Sequence, residues 1–408
     1  MSAFTRRFRL PDDTPRLVQW LVGWYLVHLL CAPFIATSEG AVAFSLFFSI
    51  LAIRRGHLRP SWHILYFPLG LYALASTLSA IAAPRSIHVG ADMITWLKFL
   101  LFPLALMIFR EIRGAKEAAL GVMLFFGIGT SIWGLWQYFG LGQRDLEHRI
   151  TGPAVHVMTF SGLILPVALV FAVLWLYDKR NLWLSFGLGV TSLALLLTFT
   201  RSVWIGWLAA ITLLIVLRRP KLLAWLAPAF VWFLILMPMP LFTRLMSTFD
   251  TRQSSNLDRI RMAEAGVEII RDYPLLGVGP ANIKEVYPLY RRPDAPRFRI
   301  PHLHNNVIQI WAERGVVALA AYLIFLALFL RECARAWRGE QRKFAEIGVA
   351  VCTALTIAGL FEFNFGDTEV LFLMLDVFAL VIAFTEKASP AVVNEPAPAL
   401  VPRPATGP

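Results

Sequence analysis

The sequence predicts an all-α polytopic membrane protein, with about twelve transmembrane helices and one large helical loop on one side. Three observations carry that expectation. The 408-residue chain is 58% hydrophobic and only 16% charged, where a soluble domain is roughly half apolar and about a quarter charged. Apolar stretches approaching the roughly 20 residues a helix needs to cross the hydrocarbon core follow one another along the chain. The surplus of 38 Lys+Arg over 26 Asp+Glu, a net charge of +12, falls mainly between them, as basic loops flanking spans do. Soluble, disordered and fibrous classes are excluded, and no nucleic-acid surface is indicated.

In chain order the spans are expected near residues 17–37, 41–53, 62–82, 95–109, 118–139, 155–177, 182–199, 203–217, 222–240, 307–330, 347–363 and 370–384. The second, fourth and eighth are short. No small-residue cleavage site follows the first, which opens a train of similar stretches and so reads as a retained helix rather than a signal peptide. Summing alternate connections places 22 basic residues on one side. Only Arg85, Lys98, Arg144, Arg149 and Arg201 fall on the other, apart from one long loop. Because Lys and Arg of short loops gather in the cytoplasm, both termini are expected there and the long loop outside.

That loop, about residues 241–304, holds ten Lys+Arg and seven Asp+Glu. Within it, 256–273 reads as a helix: Asn256 as N-cap, Ile260, Ala263, Val267 and Ile270 at helical spacing, and Pro274 as the stop. Residues 1–387 are expected to form one membrane domain, and the Pro-rich 388–408 a disordered cytoplasmic tail. Cys31, Cys333 and Cys352 are far apart and lack metal-ligand spacing. No internal repeat, Walker loop or dinucleotide fingerprint is evident.

Ionisable groups within or at the lip of a span are costly and invite a role. Lys98 lies near one end of the fourth stretch, Arg201 is wedged between two spans, and His304 and Glu313 open the tenth. All four fall toward the outer leaflet. Arg201 offers a planar fork of donors suited to phosphate and Lys98 a compact point charge; the alternative for both is snorkelling to headgroups. In Pro301-His302-Leu303-His304-Asn305-Asn306, a histidine at a helix mouth can take or orient a proton at neutral pH, or merely cap the helix. No metal is expected from His302, His304 and Glu313, since Glu313 lies about 13 Å further along a helix. Arg259 and Arg261, two positions apart, point about 200° apart around a helix; Arg259 is favoured for a site and Arg261 kept as the alternative. The Pro274–Asn282 turn, rich in glycine, either presents N–H groups to an anion or is simply a turn.

Three blocks together resemble the O-antigen ligase family of the wider polymerase/ligase superfamily: Thr200-Arg201-Ser202; Arg259 with Pro274-Leu275-Leu276-Gly277-Val278-Gly279; and His304-Asn305 followed by Glu313 and Gly315. The resemblance covers roughly residues 90–385. It implies a layout similar to other multispanning glycosyltransferases that use lipid-linked sugars, in the Gram-negative inner membrane. It implies transfer of preassembled O-antigen from undecaprenyl pyrophosphate to lipid A-core at the periplasmic face. Membrane lipids are then the surroundings, no nucleotide, metal or other cofactor is expected, and nucleic acid is not a partner. It assigns the position matching Arg201 to the donor pyrophosphate and that matching His304 to catalysis. Where this chain carries Pro153-Ala154-Val155-His156 after Gly152, many relatives carry a Gly-Asn-Pro-Asn-like segment, so His148 and His156 receive no role.

The chemistry can also be argued without the family. Fixed cations at the outer leaflet would stabilise charge building on a pyrophosphate leaving group. Arg201 and Arg259, helped by Lys98, would grip it while His304 takes the proton of the attacking hydroxyl, giving one inverting displacement. Glu313 sits too deep for that proton and reads as a support for the fold. Two other readings compete. A repeat-unit polymerase of the same superfamily would use another lipid-linked chain as acceptor. A transporter or flippase would place polar groups at mid-bilayer depth in repeated elements, whereas here the unusual groups gather at one face, and Pro103 and Pro166 form no matching pair.

Overall fold

The computed structural model describes residues 10–83, 96–145, 147–225, 239–248, 250 and 253–386, with 228, 231, 232 and 235 between. Among them the chain is helical, with no strand. A hairpin of α1 (Arg16–Leu30) and α2 (Ile35–Arg54) is followed by α3 (Tyr66–Ala82), and a 3-10 turn (Trp96–Leu100) leads into α4 (Leu101–Glu111). Then come α5 (Ala115–Phe139), α6 (Val157–Tyr177), α7 (Leu182–Leu197), α8 (Arg201–Arg218) and a second 3-10 turn (Pro220–Trp225). The long loop holds α9 (Met239–Met246), α10 (Ser254–Asp272) and α11 (Ile283–Tyr290). The chain closes with α12 (Asn306–Ala336), α13 (Arg342–Ala358) and α14 (Thr368–Thr385).

Six of these, α2, α5, α6, α8, α12 and α14, are long and apolar enough to cross a membrane, and α3 and α7 are shorter apolar helices. The two most enclosed, α6 and α14, run through the middle of the bundle. A helix apolar on every side has no face for water and packs at the centre. Peripheral helices instead turn large apolar side chains outward, with Phe47, Phe125 and Trp133 more than half exposed, a surface suited to acyl chains.

Several expected boundaries shift. The stretch 17–37 ends its helix at Leu30, and the short second stretch becomes the 20-residue α2. The fourth is divided between the 3-10 turn and α4. The eleventh, expected over 347–363, is α13 from Arg342 to Ala358, so 359–367 is a connector between helices. About half of the ninth, 222–240, lies outside the described residues, and Arg6, Arg7, Arg9, Arg85 and the tail 388–408 lie wholly outside them.

Inside the bundle, α1, α2 and α14 are tied by a buried polar chain. The Tyr25 hydroxyl donates to Asp376 Oδ1 at 2.6 Å, His28 Nε2 lies 3.0 Å from Asp376 Oδ2, and His28 Nδ1 lies 2.8 Å from Ser38 Oγ. Ionisable groups at such depth persist when each finds a partner.

The long loop has a core of its own, built from Met262, Ala265, Ile269, Val278, Ile283, Tyr287, Ile300, Leu303 and Ala312. This corrects the expected apolar face of α10: Ile260 and Val267 are each 41% exposed, while Met262, Ala265 and Ile269 are buried. The helix carries apolar residues on more than one row, and the row that faces α11, Leu303 and α12 wins. Asn256 is no N-cap either; the helix starts at Ser254.

The loop is joined to the bundle at a break in α12. Gly315 has φ 79° and ψ 178°, outside helical geometry, a conformation essentially reserved for glycine. The 273–282 turn enters that break. Val278 and Gly279 donate N–H to the carbonyls of Ala312 and Glu313 at 2.9 and 2.8 Å, and Val316 donates to Pro274 O at 3.1 Å. Helical hydrogen bonds lost at the break are thus replaced from the turn.

Candidate active site

Four guanidinium groups converge where the loop meets one end of the bundle. Arg201 is the first residue of α8, behind a tight turn in which Phe199 takes a left-handed φ of 53°. It is 5% exposed. Its guanidinium donates to Ser247 O at 2.9 Å, Ser255 Oγ at 3.2 Å, Gln253 Oε1 at 3.2 Å and Asn256 Oδ1 at 2.7 Å. Every acceptor is neutral, so its charge is positioned without being cancelled. Asn256 also donates to the carbonyls of Ser247 and Asp250 at 2.9 and 2.8 Å, making the α9–α10 connection a clamp around Arg201.

Arg149 comes from the α5–α6 connection, Arg244 from α9 and Arg259 from α10. Burial, and then the charges of Arg201, Arg149 and Arg259, push Arg244 down to about 10. Arg149 is lowered by burial and by Arg259, and its Nη1 is buried without a hydrogen-bond partner. Arg259 is lowered by burial, with Glu362 pulling the other way and Arg297 adding repulsion. Among the described residues none of Arg149, Arg201, Arg244 or Arg259 forms an ion pair, whereas Arg297 is tied to Asp258 and Arg314 to Glu313. A group of mutually repelling, partly desolvated cations is stabilised by an anion.

Next to them stands His304, also left-handed at φ 51°. Helix capping falls to Asn305, whose side chain accepts from Ile308 N–H at 3.0 Å, leaving the imidazole free to turn to the α13–α14 connector. There its Nδ1 lies 2.9 and 3.0 Å from the two oxygens of Glu362. An ionised carboxylate only accepts, so Nδ1 carries the hydrogen that faces Glu362, and in the neutral imidazole Nε2 is then the basic nitrogen. Burial alone would raise Glu362, but the hydrogen bond from His304 and the charges of His304, His302 and Arg259 bring it below the ordinary carboxylate value. His302 packs beside His304 with ring centroids 4.2 Å apart; burial, then His304, pushes it down to about 4.

All of these groups except Arg201 border one cavity of about 840 Å³, lined among others by Lys98, Arg149, Arg244, Arg259, His302, His304, Glu362 and Asp367. Arg201 is not in its wall but hydrogen-bonds Ser255, which is. Lys98 lies at another part of the wall, donating to Thr368 Oγ1 at 2.6 Å and 3.4 Å from Glu39, so its charge is partly answered. Arg261 lies outside the cavity wall, bound to Glu264 at 2.9 Å and Asp294 at 2.6 Å. Glu313 supports the turn instead, accepting from Ala281 N–H at 3.1 Å. That turn's N–H groups at 277, 278, 279 and 281 are already engaged by protein acceptors. His156 caps α6 and borders the cavity, while His148 is exposed beside Asp145.

Residues 184–323 match the family model described as O-antigen ligase. That segment belongs to the O-antigen ligase family. No curated protein matches the chain. The O-antigen ligase segment runs from α7 into α12 and contains Arg201, Arg244, Arg259, His302 and His304. Lys98, Arg149 and Glu362 reach the same cavity from outside it. Sequence reasoning passed over three of these. Arg149 had one available signal, as one of only five cations on the sparsely basic side. Arg244 was one of ten in the loop. Glu362 sat inside an apolar stretch assigned to a span, and a carboxylate at such a position was the overlooked sign that the helix ends earlier.

Proposed function

We propose that the chain transfers a preassembled O-antigen polysaccharide from undecaprenyl pyrophosphate to the lipid A-core at the periplasmic face of the Gram-negative inner membrane. The observation that carries this reading is the juxtaposition of unpaired guanidinium groups with the His304–Glu362 pair around a single cavity. Arg149, Arg201, Arg244 and Arg259 supply fixed positive charge for a pyrophosphate. Glu362 holds the Nδ1–H of His304, aiming Nε2 at an incoming hydroxyl.

In the proposed step, the acceptor hydroxyl oxygen attacks the anomeric carbon of the donor while its proton passes to His304 Nε2. The bond from that carbon to the phosphate oxygen breaks, and undecaprenyl pyrophosphate departs with the electron pair. One displacement inverts the anomeric configuration. Charge builds on a leaving group surrounded by cations already in place, which is where preorganised electrostatics lowers a barrier most. The arginines can fill this role without a metal ion. Lys98, across the cavity, is assigned to the substrate through its remaining donors.

The test is ligation by purified protein given lipid-linked O-antigen and lipid A-core. Arg201→Ala and His304→Ala, folded and membrane-inserted, should each lose about 10²–10³ in turnover, or about 2.7–4 kcal/mol, as when one preorganised donor is removed. Near-normal turnover in both would overturn the assignment. Chain extension with a second lipid-linked glycan as acceptor, and none with lipid A-core, would make the protein a repeat-unit polymerase instead.

A further inference from the structure

His302, His304 and Glu362 form a group whose chemistry differs from that of the arginine cluster. One ligand atom from each, a ring nitrogen or a carboxylate oxygen, lies within 4.8 Å of the other two. His302 Nδ1 is buried without a hydrogen-bond partner and lies 3.9 Å from Glu362 Oε1, the oxygen that His304 Nδ1 approaches at 2.9 Å. A buried nitrogen left unsatisfied is costly, and here it points toward two other metal-ligating groups. Two imidazoles and a carboxylate around an open position are the donor set of three-ligand zinc sites. Nitrogen donors favour zinc-class transition ions over magnesium or calcium, which take oxygen. All three residues lie in connectors, where side chains can close the short distance to bonding range.

We propose that His302, His304 and Glu362 bind a divalent transition-metal cation of the zinc class, its open position facing the cavity, and that this binding reversibly inhibits transfer. Binding stands on the geometry of the three side chains; inhibition rests additionally on His304 being the base, since a coordinated imidazole is withdrawn from proton transfer. Arg259 and Arg297 lie near enough to act on Glu362 and His302 and oppose a dication. The site is therefore weaker than a structural zinc site and reversible.

Metal-free full-length protein in detergent is titrated with Co2+, whose ligand-field absorption reports tetrahedral coordination, and the signal is then displaced with Zn2+. One equivalent is expected. His302→Ala and Glu362→Gln should each weaken it about tenfold or more, with thermal unfolding confirming that both variants are folded. His63→Ala, remote from the cavity, should leave it unchanged. No Co2+ signal, or one indifferent to His302→Ala and Glu362→Gln, overturns the site. In the ligation assay Zn2+ should inhibit the unsubstituted protein half-maximally at the Kd read from the titration. Metal binding without inhibition overturns the inhibitory role, whereas metal-free protein inactive in ligation counts against the proposed function and leaves the titration result standing.

Discussion

At His304 a single contact underlies the proposed proton transfer. Its Nδ1–H is held by Glu362 at 2.9 Å, which fixes the tautomer and would stabilise the imidazolium formed when Nε2 takes a proton. Glu362→Gln preserves size but removes that charge. It should lower kcat by about 10²-fold or more, within the range of general acid–base assistance, with little change in KM, checked by steady-state ligation kinetics. Among the cations, the two absent from the sequence expectation give a sharp comparison. Arg149→Ala and Arg244→Ala should each cost about 10²-fold in turnover. Arg261→Ala should have little effect, because that guanidinium is engaged by Glu264 and Asp294 outside the cavity wall. Activity lost in Arg261→Ala and kept in Arg149→Ala would reverse the assignment.

At the scale of elements, the break in α12 ties the loop to the bundle. A Cβ on Gly315 would meet Leu275 O at 1.9 Å, so Gly315→Ala both strains the backbone and drives the 273–282 turn out of its hydrogen bonds. Backbone strain alone is worth about 1–3 kcal/mol. The variant should unfold at lower temperature in detergent and lose ligation together with loop packing. The buried Tyr25–Asp376–His28–Ser38 chain holds α1 and α2 against α14. Asp376→Ala leaves Tyr25 and His28 without their shared acceptor. It should destabilise by about 1–3 kcal/mol, as leaving a buried donor unsatisfied does, while Asp376→Asn, which keeps an acceptor oxygen, should lose less. Equal midpoints for Asp376→Ala and the unsubstituted protein in thermal denaturation would remove this clamp from the account.

For the whole molecule, the cavity draws its wall from widely separated parts of the chain, α3, the connection before α6, the long loop, and the connectors flanking α12 and α14. It lies at the bundle end that carries the loop. The proposed function requires that end to face outward, as the positive-charge asymmetry of the sequence predicts. With Cys31, Cys333 and Cys352 replaced by alanine, a membrane-impermeant maleimide should label Arg292→Cys in intact spheroplasts, and Glu340→Cys only after permeabilisation. The opposite pattern would put the cavity on the cytoplasmic face, where a lipid-linked donor presented from outside could not use it.

The sequence by itself determined the membrane class, the long charged loop and the presence of Arg201 and His304 at span boundaries. Hydropathy, charge alternation and ionisable groups beside apolar runs are properties of neighbouring residues. The face of α10 that is buried, the end of α13 and the pairing of His304 with Glu362 were decided only by tertiary structure. Each depends on which distant surface arrives. Met262 and Ile269 are inside because α11 and Leu303 cover them, and Glu362 reaches His304 because α13 ends at Ala358. The arginine cluster is the clearest case. Four like charges from three helices and one connection carry no local signature, and their approach is tolerated because neutral side chains and carbonyls anchor Arg201 and Arg244 while leaving the charges free for an anion.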